Sequence, residues 1–203
     1  MIVNLGLPKS GTTTLAEALR SAGLRVADHK IRYRDTTRKA LRGTFVARQL
    51  YDGYFRQGDP LAALSPFDAL AEISVLKPDM SLWPQTDFGL LQTLRDVRPD
   101  TRFVLTLRPA EEIADSMMRW GNMGLSRMPR LQIPGLPAGY GAGRLDLVRF
   151  VEGHHAFVRR LFDGDPNFLP LDIPAPDAPD RLAAFLGRAV PWWGRANANP
   201  PEA

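Results

Sequence analysis

A largely apolar run fills positions 2–5, stops at Gly6, and apolar residues return at Leu15 and Leu19 within the proline-free stretch 12–22. A short apolar run predicts a buried strand, and leucines four apart predict one face of a helix. Gly23 ends that helix, and 24–27 reads as a second strand. The order strand, loop, helix, strand predicts a βαβ unit, hence a parallel sheet with a right-handed crossover. The pattern is then helical over 35–64, mixed helix and loop over 65–84, and helical again over 88–97. Arg102-Phe103-Val104-Leu105-Thr106-Leu107 is the clearest strand of the chain, and Pro109 opens a helix that runs to about Trp120. Glycines and prolines interrupt any period over 121–143, which predicts a long ordered loop or lid. A helix over 145–162, a strand over 167–173 interrupted by Pro170, and a helix over 179–186 follow, with a frayed tail after Ala196. Strands alternating with helices predict an α/β fold of three layers, α/β/α, around a central, mainly parallel sheet.

Composition narrows the class of partner. With 203 residues and 44% hydrophobic content, the chain can bury one core and is too short for two full-sized domains, so one domain over 1–203 is expected. Its 26 Lys and Arg against 22 Asp and Glu leave a net charge of +4, which suits an anionic ligand and is too mild for a nucleic-acid coat. The excess is local: residues 20–48 hold nine Lys or Arg and only two acids, a field that would attract an acidic acceptor or a cofactor. Without cysteine there are no disulfides and no thiolate metal sites. Residues 1–5 lead straight into a glycine loop, leaving no room for a signal peptide, and no apolar run approaches ~18 residues. The expectation is a cytoplasmic protein without a membrane span.

The chemistry concentrates in Gly6-Leu7-Pro8-Lys9-Ser10-Gly11-Thr12-Thr13, between the first strand and the first helix. Such a loop turns backbone N–H groups toward an anion, and the helix N-terminus adds about half a positive charge. A Walker A loop places its lysine directly after the second glycine, whereas here Thr12 follows Gly11 and the lysine is Lys9. Lys9 can still reach the bridging oxygen of a phosphoanhydride-like bond, with the hydroxyls of Ser10, Thr12 and Thr13 as further donors. These features predict a site for a phosphorylated or sulfated nucleotide. Lys9 and the loop can serve a leaving phosphate, so no metal is expected.

Pro8-Lys9-Ser10-Gly11-Thr12-Thr13 resembles the 5′-phosphosulfate loop of sulfotransferases that use 3′-phosphoadenosine 5′-phosphosulfate (PAPS). The resemblance implies a P-loop NTPase-like fold and a sulfuryl group transferred to a hydroxyl or amine of a small-molecule or glycan acceptor, leaving 3′,5′-diphosphoadenosine. It also implies that the 3′-phosphate is held by an arginine ending a strand and a serine eight residues later, a spacing that Arg108 and Ser116 have. Residues 154–162 and 168–172 are similar to a helix and the last strand of bacterial members, and Phe185-Leu186-Gly187, Pro191 and Asn197 to their C-terminal segment, from which Trp192-Trp193-Gly194 departs.

An acceptor hydroxyl needs a general base, and Asp28 and His29 end the second strand, close to the loop in a parallel sheet. Asp68 and Glu72, expected on a helix, are further candidates, whereas His154 and His155 read as partly buried helix residues. Two other functions fit parts of the pattern. A P-loop kinase would need an aspartate-ended strand for Mg²⁺; 169–172 offers one broken by Pro170, while 102–107 runs into Arg108. A non-catalytic nucleotide-binding module would keep the loop and lack the base.

Overall fold

A computed structural model describes residues 1–121, 123–194 and 196. Its seven strands and six α-helices follow in the order β1 (Ile2–Asn4), α1 (Thr12–Ser21), β2 (Val26–Ala27), α2 (Val46–Gln57), β3 (Ala69–Leu70), β4 (Val75–Lys77), β5 (Met80–Leu82), α3 (Phe88–Val97), β6 (Arg102–Leu107), α4 (Ala110–Arg119), α5 (Arg144–Leu161), β7 (Phe168–Asp172) and α6 (Ala178–Leu186). Five strands form a sheet in the order β2-β3-β1-β6-β7, and every pairing in it is parallel. Alternation along the strands sends side chains to two faces. Val3, Leu5, Phe103, Leu105 and Leu107 meet α2, α3 and α5 on one side. Ile2, Val26, Ala69, Val104 and Leu171 meet α1 and α6 on the other. The result is the three-layer α/β/α arrangement expected from the sequence.

The central position of β1 puts the glycine loop at the middle of the sheet's C-terminal edge, between β3 on one flank and β6 on the other. The β6–β7 pair sustains five register positions, Phe103↔Phe168 to Leu107↔Asp172. Pro170 is tolerated because β7 is an edge strand: Ile173 donates to Leu107 O, so by alternation the missing N–H of Pro170 falls on the open side.

Two stretches depart from the sequence expectation. Within 35–64 the structure holds only a 3₁₀ turn at Lys39–Leu41 and α2. The basic residues of 30–42 are mostly exposed and offer no continuous apolar stripe to seat a helix there. Within 65–84 there is no α-helix but a two-residue strand of the central sheet, β3, and the antiparallel hairpin β4–β5. A two-residue strand carries no measurable period, so pairing alone defines it. Residues 121–143 are more built than a simple loop. They include a π-helical turn, Met123–Arg127, and a 3₁₀ turn, Met128–Arg130, with Met123, Met128, Ile133 and Leu136 packed on α4 and α5. Asn197 and the tail after Ala196 lie outside the described residues.

Candidate active site

The loop is braced from below before it reaches solvent. Asn4, fully buried, donates from Nδ2 to Ala71 O at 2.7 Å, while its Oδ1 accepts from the N–H of Gly6 at 3.1 Å and of Thr106 at 3.3 Å. One amide thus ties β3, β1 and β6 together where the loop begins. The hydroxyls of Ser10 and Thr106 meet at 2.6 Å, and His154 donates from Nε2 to Leu5 O at 2.7 Å. Burial lowers the His154 pKa to about 4, so the ring is neutral at neutral pH, in keeping with a single donor at Nε2. Gly6 has no room for a side chain, since a Cβ would lie 1.8 Å from Thr106 Oγ1.

Lys9 (φ 74°) and Gly11 (φ 104°) both adopt left-handed backbone, which curls the loop around its own N–H groups. The turn delivers the chain into α1 with no side-chain cap and no acid in the first turn, so the helix N-terminus is left to a ligand. From β6, Arg108 donates through Nη1 to Lys9 O at 3.1 Å and through Nη2 to Glu112 at 2.7 Å. The Lys9 ammonium stands 3.6 Å from the centre of the Trp120 ring. Burial, then repulsion by Arg108 and Arg119, lowers its pKa against an opposing pull from Glu72.

Glu72 lies two residues beyond β3. It accepts from Ser74 N at 2.9 Å and Ser74 Oγ at 2.6 Å, and it also bonds Thr12. Burial pushes its carboxyl up to about 7 against these donors, with the Asp28 charge adding to the rise. Asp28, at the end of β2, is raised by burial too, and Arg20 stands 3.9 Å away. His29 has left-handed backbone (φ 50°), donates from Nδ1 to Ser74 O at 3.0 Å, and packs edge-on against Phe45. Its Nε2 is then the acceptor nitrogen.

These groups open on one cavity of about 980 Å³. Of the residues singled out from the sequence, Pro8, Lys9, Gly11, Thr12, Thr13, Asp28, His29, Arg108 and Ser116 line it. Ser10 does not; it is buried beneath the loop on Thr106. Glu72 lines the cavity from a strand end and not from a helix, and Asp68 is outside it, paired with Arg25 at 3.0 Å. His154 and His155 are likewise outside. Sequence reasoning missed Asn4, Ser74 and Arg119, which carry no motif of their own, and gave no role to Trp120 and Trp193, since tryptophans more often serve the core. Among the described residues no cluster of three or more His, Asp or Glu is placed to hold a metal ion, and no helix is long and apolar enough to cross a membrane.

No curated protein matches the chain. A family model described as a sulfotransferase domain matches residues 1–139. That stretch is more than half of the 203 residues and takes in the loop, Glu72, Arg108 and Ser116. The chain belongs to this sulfotransferase domain family.

Proposed function

We propose that the protein transfers the sulfuryl group of PAPS to a hydroxyl of an acceptor bound on the β2–β3 side of the cavity. The observation that carries this reading is the division of one cavity into two walls. The uncapped N-terminus of α1, Lys9, Arg108 and Ser116 lie on the β1–β6 side, and the Glu72 carboxyl faces Lys9 from β3. The residues present fit a nucleotide with anions at both ends: the loop N–H groups and Lys9 suit the 5′ end, and Arg108 with Ser116 the 3′-phosphate. Trp193, Ile173 and Pro174 line the same cavity and offer the purine an apolar wall. When bound, PAPS supplies an activated sulfuryl group.

The chain's own part is positioning and charge. Lys9 and the N–H groups of the first turn stabilise negative charge on the leaving oxygen. Glu72 takes the proton of the attacking hydroxyl: its carboxyl titrates near neutrality, and it is held by Ser74 and Thr12 beside the loop. Asp28 and His29, expected from the sequence to be the base, flank it. Asp28 raises the Glu72 pKa, and His29 fixes the Ser74 carbonyl. Calorimetry tests the donor. 3′,5′-Diphosphoadenosine should bind at least ~10-fold tighter than AMP, since each charge-assisted bond to the 3′-phosphate is worth ~1.5–3 kcal/mol. The binding should survive EDTA. Equal affinity for the two nucleotides would remove Arg108 and Ser116 from the site, and tight Mg²⁺-dependent ATP binding would favour a kinase.

A further inference from the structure

We infer that the acceptor is itself an anion, a hydroxylated molecule carrying a carboxylate or sulfate group near the hydroxyl that is modified. This rests on the sulfuryl-transfer reading above, and it comes from the cations that reading leaves without work. Six Lys or Arg line the cavity: Lys9, Arg32, Lys77, Arg108, Arg119 and Arg127. Arg108 is engaged by the loop and Glu112, and Lys9 belongs to the loop itself. Lys77 lies on β4, Arg127 reaches the carbonyl of its neighbour Leu76, and Arg32 follows the end of β2. Lys77 stands 4.6 Å from the centre of the Phe45 ring, which His29 meets at 5.2 Å and Lys30 at 5.7 Å. Arg127 donates to the carbonyl of Leu76 at 3.3 Å, and its buried Nε has no hydrogen-bond partner. Arg32 follows His29 by three residues and acts on the Asp28 charge.

Among the described residues none of Arg32, Lys77 and Arg127 forms an ion pair with a carboxylate, and the nearby Asp28 already faces Arg20. Lys30, Arg34, Arg38 and Lys39, all exposed, belong to the same basic stretch as Arg32. Cations that outnumber the acids lining a walled cavity draw in and orient an anion, whereas a neutral acceptor would leave their charge uncompensated. A carboxylate or sulfate held by Lys77 and Arg127 places a hydroxyl on the same molecule within the space between β4 and Glu72.

Paired probes in which a carboxylate replaces a neutral group test this: phenyl glucuronide against phenyl glucoside, and 4-hydroxybenzoate against 4-hydroxybenzamide. The whole chain is titrated with each by calorimetry, with and without saturating 3′,5′-diphosphoadenosine, and sulfate transfer from PAPS is followed by mass spectrometry. In at least one pair the anionic member should bind ~10-fold or more tightly than its neutral partner, the preference shrinking as salt rises. Lys77→Glu, at an exposed position, should reduce that preference to below ~2-fold. Whether the sugar or the phenol pair responds identifies the source of the hydroxyl. Equal or absent binding of both members in both pairs overturns the inference, as does a preference that survives Lys77→Glu and Arg32→Glu alike. Loss of nucleotide binding in the unmodified chain would instead sink the sulfuryl-transfer reading, and the titrations without nucleotide still decide the acceptor's charge.

Discussion

Lys9 and Glu72 line the same cavity beside the first turn of α1, and the Glu72 charge pulls the Lys9 pKa upward against burial. Their roles separate by mutation. Lys9→Ala should lower kcat by ~100-fold or more, as for loss of one preorganised donor, and weaken 3′,5′-diphosphoadenosine. On the proposed mechanism, Glu72→Gln should lower turnover to a similar degree while leaving nucleotide affinity within a few-fold, because the proposed base meets the acceptor. If Glu72→Gln keeps full kcat, His29 and then Asp28 become the groups to replace. With the carboxyl near 7, kcat in the unmodified enzyme should climb as pH rises through about 7, and that limb should vanish in Glu72→Gln. The same shift has a stability sign. A carboxyl raised from 4.5 to about 7 on folding favours the native state only while protonated, and that contribution is lost as pH rises through about 7. Glu72→Gln should therefore be more stable than the parent at pH 8, by on the order of 1 kcal/mol in thermal or urea unfolding.

At the scale of elements, the strand–loop–helix joint depends on supports that are distant in sequence. Gly11 packs where a Cβ would meet Ile173 at 2.7 Å, and its φ of 104° excludes most side chains. Gly11→Ala should cost ~1–3 kcal/mol in denaturant unfolding and weaken nucleotide binding. Ile173→Ala in the same chain would relieve the contact and leave the backbone strain, so only part of the loss should return. Helix α5 holds the joint from the opposite face through His154. Its pKa falls from 6.5 to about 4 on folding, as does that of His155, so the folded state gains stability only where these rings are neutral. Stability should decline as pH drops from about 6.5 toward 4, and the decline should be shallower in His154→Gln. A pH-independent unfolding midpoint across that window would contradict the burial of both rings.

For the whole molecule, the family match ends at residue 139, but the core does not. Val158 and Phe162 complete one face of the sheet, Leu171, Leu182 and Leu186 the other, and β7 is the sole partner of β6 on that flank. A 1–139 fragment should therefore fail to unfold cooperatively in circular dichroism, whereas a chain ending at Arg188 should keep the fold and lose nucleotide affinity with Trp193. Much of this organisation is legible in the chain. Residues 102–107 and 88–97 declare a strand and a helix with the bounds the structure shows, because their apolar spacing is local and unbroken. Lys9, Arg108 and Ser116, which the structure brings to one cavity, are singled out by the glycine loop and by the spacing the family resemblance implies, both of which are local in the chain. The sequence also marks the basic stretch 20–48 without telling which cations turn inward. What only the tertiary structure decides is Glu72. Its element is two residues long and exists by parallel pairing with β1 and β2, and its ionisation near 7 comes from burial among Ser74, Thr12 and Asp28. No local pattern encodes either, because strand pairing and desolvation are made by residues far apart in the chain that folding brings together.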